Sequence, residues 1–242
     1  SDIVETNSFG GSSFKLKPYG LADQVRELNR AAAALAREAM RGRGYVAASV
    51  GPTGHILEEE GGDATAAQLY ESFAEQIAAL AEGGADALCI ETMSSLGEAA
   101  QAIRAAKENS RLPVICTFTF EAGKKGFRTM MGVSPSRAAT AAIAAGADVI
   151  GANCGNGIAN MIAIAAEMRA AAPGVPILIH ANAGAPVVEE GRTVFRETPD
   201  YMASRVPELV RAGAGIIGGC CGTDPRHIAA IAAALHALAA QA

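Results

Sequence analysis

No run of the 242-residue chain approaches the roughly 20 consecutive apolar residues that a membrane-crossing helix needs. The opening residues, SDIVETNSFGG, lack a basic stretch followed by an apolar one, so no secretory leader is read there. Blocks of like charge are missing too. The net charge of -5 comes from acidic and basic residues interspersed along the chain, which gives no electrostatic footprint for nucleic acid or an anionic membrane. The expectation is a soluble, cytoplasmic protein that handles small, near-neutral ligands. Five cysteines, an odd number in a chain too large to need disulfide staples, point to metal-binding or reactive thiols in a reducing compartment.

What is present is apolar surface in abundance. Half of the residues are hydrophobic and 19% are charged, enough for a sizeable core, and the length suits a single α/β domain over residues 1–242. Short β-branched runs recur with longer Ala-rich amphipathic stretches between them, and Gly, Pro, Asn or Asp marks the junctions. The strands are expected at Ile3 to Phe9, Tyr45 to Val50, Ala87 to Thr92, Val114 to Phe120, Val149 to Cys154, Ile177 to Asn182 and Gly215 to Cys220. Helices are expected to follow each, as at Leu21 to Met40, Thr65 to Glu82, Pro135 to Ala145 and Pro225 to Ala240. Ser134 and Asp224 stand as N-caps ahead of a proline at the first helical position. Gly83-Gly84-Ala85-Asp86, Ala145-Gly146-Ala147-Asp148 and Ala212-Gly213-Ala214-Gly215 each supply glycine where a left-handed cap is needed before a strand.

Seven βα units leave two architectures, a doubly wound open sheet or a (β/α)₈ barrel. Polar and reactive residues collect where nearly every strand ends: Glu5-Thr6-Asn7, Gly51-Pro52-Thr53, Glu91-Thr92, Asn153-Cys154, His180-Ala181-Asn182 and Cys220-Cys221. Such groups converge only if the strands close into a ring, which favours the barrel. A barrel wants eight strands, so the simplest expectation is an α/β, TIM-type barrel lacking its first βα unit. Two strand edges would then need covering or pairing, with a homo-oligomer as one consequence.

The strongest local signal is Gly218-Gly219-Cys220-Cys221-Gly222-Thr223. Neighbouring side chains of a regular strand point to opposite faces, so both thiols reach one site only where the strand ends and turns, as the glycines permit. A disulfide between adjacent residues would be strained, which favours thiols facing a common metal. Cys154, in Gly151-Ala152-Asn153-Cys154-Gly155, also ends a strand and supplies a third ligand. Three thiolates and one open position describe a catalytic Zn²⁺ site, since a structural one would be closed by a fourth protein ligand. A substrate thiol, with an ordinary pKa of about 8.5, can bind there as the anion and attack a methyl donor.

These motifs carry a family resemblance. GANCG around Cys154, GGCCGT around Cys220 and Cys221, the opening IVETNSF and IET at Ile90 to Thr92 resemble the homocysteine-binding domain of cobalamin-dependent methionine synthase and its relatives. The resemblance runs in the same order over essentially the whole chain. It implies a (β/α)₈ barrel, zinc on Cys154, Cys220 and Cys221, and methyl transfer to homocysteine to give methionine. It also implies that Glu91 binds the substrate amino group and that the backbone around Asn7, Ser8 and Thr53 lies near its carboxylate. The methyl donor it favours is methylcobalamin on a separate corrinoid protein. Family members begin with an additional strand ending in a DGAMG-like motif, whose Asp helps bind the substrate ammonium and which this chain does not contain. Alternatives are a corrinoid-linked enzyme acting on another thiol or a methylated substrate, a non-catalytic zinc or thiol-sensing module, and a metal-free redox pair at Cys220 and Cys221.

Other residues read differently. Cys89 and Cys116 fall inside apolar strand runs and are expected to be packed core thiols. His180 fits a donor-binding or proton-transfer role and a structural one equally. The run Glu121 to Arg128, with Lys124, Lys125 and Arg128, is expected to be a solvated loop. Gly155-Asn156-Gly157 matches neither a P-loop nor a dinucleotide fingerprint.

Overall fold

In the computed structural model, which describes residues 1–240, the periodic pattern becomes alternating strands and helices that divide into two units. The N-terminal unit holds residues 2–117 and 141–149, and the C-terminal unit holds residue 1, residues 118–140 and those from 150 onward.

The N-terminal unit contains β1 (Ile3–Glu5), a single helical turn α1 (Ser13–Leu16), α2 (Val25–Met40), β2 (Tyr45–Val50), α3 (Ala66–Glu82), β3 (Ala87–Met93), α4 (Leu96–Asn109) and β4 (Val114–Phe118), which ends at its boundary. β1, β2 and β3 pair in parallel, with Ile3 opposite Tyr45 and Ala47 opposite Ala87, and β4 is next in order. These strands read as near-continuous apolar runs because helices cover them: Val46, Ala48, Val50, Leu88, Ile90 and Val114 are fully buried. α3 begins with a capping box between Thr65 and Gln68 and buries Phe73, Ile77 and Leu80, each worth about 1.5–3 kcal/mol. Phe73→Ala is the single change on that face with the largest expected cost, about 3–5 kcal/mol.

The C-terminal unit contains a hairpin, β5 (Glu121–Gly123) and β6 (Gly126–Arg128), followed by the start of α5 (Pro135–Ala145). After these come β7 (Val149–Gly157), α6 (Ile158–Ala171), β8 (Ile177–Asn182), a second hairpin of β9 (Val187–Glu189) and β10 (Arg192–Val194), α7 (Pro199–Arg211), β11 (Ile216–Gly219) and α8 (Pro225–Ala239). β7, β8 and β11 are parallel, with Asn153 and Gly218 both opposite His180.

Three helices end alike. The left-handed residues are Gly84, Gly146 and Gly213, and the amides of Ala85, Ala147 and Ala214 reach back to the carbonyls of Leu80, Ala142 and Leu209 in Schellman closures. Asp86 and Asp148 follow two of them, and each carboxylate accepts a backbone N–H from one of the first two residues of the previous strand, Val46 and Val114 respectively, both at 2.8 Å. Ser134 and Asp224 cap α5 and α8 as the sequence predicts: Ser134 Oγ accepts from Arg137 N at 3.3 Å and Asp224 Oδ1 from Arg226 N at 2.9 Å.

Strand limits differ from the sequence reading where side chains replace the ladder. β1 stops at Glu5 rather than Phe9 because the Thr6 hydroxyl accepts from Ser49 N (3.0 Å) while Ser8 Oγ donates to Ser49 O (2.7 Å). β11 stops before Cys220, whose carbonyl accepts from Thr223 Oγ1 at 2.7 Å. β7 runs past Cys154 to Gly157. The Glu121 to Arg128 segment is mostly exposed, as expected, but is a hairpin rather than an open loop. Among the described residues, no helix is long and apolar enough to cross a membrane.

Candidate metal centre

The parallel ladder between β7 and β8 is interrupted between Asn153, opposite His180, and Gly157, opposite Asn182. Cys154 lies in that interruption at φ 60°, followed by Gly155 at φ 72°. For a residue with a side chain this left-handed backbone costs about 1–2 kcal/mol, and such strain collects at functional sites. Gly155 is required, since a Cβ there would stand 2.7 Å from the Phe120 carbonyl. Cys220 and Cys221 occupy the turn after β11. Cys220 N–H still donates to Ala181 O at 2.8 Å, whereas Cys221 N–H donates to the Asn182 side-chain oxygen at 3.0 Å, and Gly222 turns the chain at φ 79°. Thus one strand neighbour, β8, fixes both cysteine segments.

This backbone brings the three thiols together. Cys154 Sγ lies 3.7 Å from Cys221 Sγ, Cys220 Sγ lies 4.0 Å from Cys221 Sγ, and all three fall within 4.8 Å of one another. Tetrahedral zinc with Zn–S bonds of about 2.3 Å separates its sulfurs by about 3.8 Å, so the set fits that ion. The electrostatics agree. A hydrogen bond from Cys220, with help from Gly155 N–H, Cys221 and Asn182, draws the Cys154 thiol down to about 5. The same hydrogen bond, burial and the neighbouring sulfur charges push Cys220 well up, and burial with the Cys154 charge raises Cys221. One thiolate therefore forms at the expense of the other two, and only a cation lets all three ionise together.

Asn182, buried at 3% exposure, joins the two segments: its oxygen accepts from Cys221 N–H and its side chain also hydrogen-bonds Cys154. Sequence reasoning placed it at a strand end but gave it no task. Asn156 and Glu197 were missed as well. Asn156 Nδ2 donates to Phe120 O at 2.6 Å, and Glu197 Oε2 accepts from Ile158 N–H at 3.0 Å. A carboxylate of the chain thus occupies the α6 N-terminus after Gly155-Asn156-Gly157. His180 is half-buried, its ring so close to Gly218 that a Cβ there would stand 2.7 Å from it.

The remaining candidates lie in the N-terminal unit. Glu91 is buried at the end of β3 and accepts a hydrogen bond from Ser49 Oγ. Thr53 is buried, with its N–H and hydroxyl both donating to Glu98 Oε1, at 2.7 and 2.6 Å. Ser8 is buried and tied to Ser49, while Asn7 is exposed. Cys89 and Cys116 are fully buried, and burial pushes both thiols far up, for Cys89 with help from the Glu5 and Glu91 carboxylates.

Residues 1–235 match the family described as Homocysteine S-methyltransferase. The methionine synthases of Mycobacterium tuberculosis and Mycobacterium leprae are 30% and 31% identical over 247 and 248 residues, in each case 97% of this chain. The chain spans only 20% of the length of either relative. Among solved structures, the homocysteine methyltransferase MmuM from Escherichia coli in its metallated form matches with a TM-score of 0.78 at 21% identity, covering 96% of this chain and 79% of that one. Its apo form matches with a TM-score of 0.70 at 22% identity, covering 88% and 75%. At such identities the likeness speaks to the fold, the α/β barrel type that the sequence predicts. By the family match over residues 1–235, the chain belongs to the homocysteine S-methyltransferase family.

Proposed function

We propose that this chain is a zinc-dependent S-methyltransferase domain that methylates homocysteine to methionine, with a corrinoid-linked methyl donor. The observation that carries the reading is the convergence of Cys154, Cys220 and Cys221 within 4.8 Å on backbone that only strand ends and glycines allow. These three would hold the metal. When bound, zinc supplies the charge that keeps a substrate thiol, ordinarily with a pKa of about 8.5, in its thiolate form at neutral pH.

The chain's own groups set up that chemistry. Asn182 fixes the Cys221 amide and contacts the Cys154 sulfur, so the thiols are oriented before substrate arrives. The family resemblance implies that Glu91, which is buried and accepts from Ser49 Oγ, takes the substrate's amino nitrogen. The backbone around Asn7, Ser8 and Thr53 serves the substrate carboxylate. Thr53 contributes through neighbouring backbone, because its own N–H and hydroxyl are taken by Glu98. The resemblance to the cobalamin-dependent methionine synthases supports a corrinoid-linked donor, and it supports reading residues 1–242 as one homocysteine-binding domain.

Product analysis tests this directly. Zinc-loaded protein incubated with homocysteine and methylcobalamin, free or on a corrinoid protein, is expected to form methionine, and Glu91→Gln is expected to raise the KM for homocysteine more than it lowers kcat. Failure to methylate homocysteine with methylcobalamin, S-methylmethionine or betaine would overturn the reading.

A further inference from the structure

The two cysteine segments are also tied together at a distance from the sulfurs. Four residues beyond Cys154 the chain enters α6 at Ile158 without a side-chain cap of its own, because the residue before it is Gly157. The missing acceptor comes from Glu197, 39 residues downstream, whose Oε2 takes the Ile158 N–H at 3.0 Å. Gly157 must lack a side chain for this, since a Cβ would overlap the Glu197 carboxylate.

The backbone of Glu197 is anchored as firmly. Its N–H donates to Ala183 O at 2.9 Å, and its carbonyl lies 3.0 Å from Nε2 of the buried His227. A carbonyl only accepts, so Nε2 of His227 carries the proton and donates. The other ring nitrogen faces Asp224, whose N–H and Oδ1 lie 3.1 and 2.9 Å away. Asp224 is three residues past Cys221. The chain of bonds therefore runs from Ile158, next to the Cys154 interruption, through Glu197 and His227 to Asp224, next to the Cys220-Cys221 turn.

Resting on the metal reading above, we propose that Glu197 and His227 are positioning residues that brace the Cys154 segment against the Cys220-Cys221 turn and so set the spacing of the three thiols. Among the described residues, the hydrogen bonds that shift the three thiols come from one another, Gly155, Asn182 and the Cys221 backbone rather than from Glu197 or His227. Their effect is carried through main-chain atoms: Glu197 holds the exit of the interrupted β7, and His227 holds Glu197 against the helix that follows the cysteine pair. Because metal affinity depends on how well ligands are pre-positioned, loss of the brace is expected to weaken metal binding about 10- to 100-fold, the range for removing a group that orients metal ligands.

The test uses Co²⁺, whose sulfur-to-metal charge-transfer band reports thiolate ligation, titrated into metal-free protein against a competing chelator. Glu197→Ala and His227→Ala are expected to lower the affinity by at least about 10-fold and to alter the band. Glu197→Gln, which keeps an oxygen for Ile158 N–H, is expected to restore most of both. Gly157→Ala, which displaces the carboxylate, is expected to mimic Glu197→Ala, and the double variant to be no worse than either single. Wild-type affinity and an unchanged band in folded Glu197→Ala and Gly157→Ala, even with lower thermal stability, would overturn the brace alone. Wild-type protein that takes up no Co²⁺ would remove the metal reading and the brace with it.

Discussion

Cys89 and Cys116 lie in the middle of β3 and β4, wholly buried, whereas Cys154 lies in the interruption of the β7–β8 ladder and Cys220 and Cys221 lie past the end of β11, and these three range from half-buried to exposed. The residue type is the same and the chemistry is opposite. Mid-strand burial pushes the first two thiols up until they behave as small apolar side chains. At the strand ends the left-handed backbone of Cys154 and Gly155 and the turn at Gly222 rotate the sulfurs toward one another. Reactivity is therefore set by where the ladder stops, and the residues that stop it belong to the site as much as the cysteines do.

The largest expected contrast comes from removing a ligand. Cys220→Ala or Cys221→Ala is expected to lower zinc affinity by more than about 100-fold and to abolish methionine formation, while Cys89→Ala and Cys116→Ala keep both; equal losses in the two groups would dissolve the distinction. Next is Asn182→Ala, which removes an oxygen from Cys221 N–H and a contact from Cys154. Metal competition is expected to show a loss of about 10- to 100-fold with the fold intact by circular dichroism. An unchanged affinity would confine Asn182 to a structural task.

A third contrast concerns pH. In metal-free protein Cys154 is held down to about 5, so its thiolate is present at neutral pH and is lost as pH falls through that value. Iodoacetamide labelling read by mass spectrometry is expected to modify Cys154 first, with a rate that declines near pH 5, and to leave Cys89 and Cys116 untouched across the neutral range. Early labelling of Cys89 or Cys116 would contradict the burial argument. The smallest effect is structural: Cys116→Ala is expected to cost about 1 kcal/mol, a shift of about 2–4 °C in Tm, without changing metal content.

Much of this was legible in the chain because it is encoded locally. The Gly-Ala repeats that close helices, the proline-led helix starts and the GGCCGT and GANCG motifs are short-range signals; the structure starts and closes those helices as the sequence implies and brings the three motif cysteines within 4.8 Å, although β7 continues past Cys154. What escaped depends on partners far apart in sequence. Glu197 has no local pattern that connects it to Ile158, and Asn182 gains its meaning only when β8 lies between β7 and β11. The early end of β1 is a further case, since Thr6 and Ser8 hydroxyls substitute for ladder bonds to Ser49, a residue more than forty positions away. The second hairpin, Val187–Glu189 with Arg192–Val194, was hidden because each strand is only three residues long, too short for an alternation to register.

The three-thiolate centre is tested most directly by X-ray absorption at the zinc edge of the reconstituted protein, read with and without homocysteine. Three sulfur neighbours at about 2.3 Å are expected for one zinc per chain, rising to four when homocysteine is added and falling when Cys154, Cys220 or Cys221 is replaced by Ala. Stoichiometric zinc with fewer than three sulfur neighbours, or a sulfur count that survives those replacements, would contradict it.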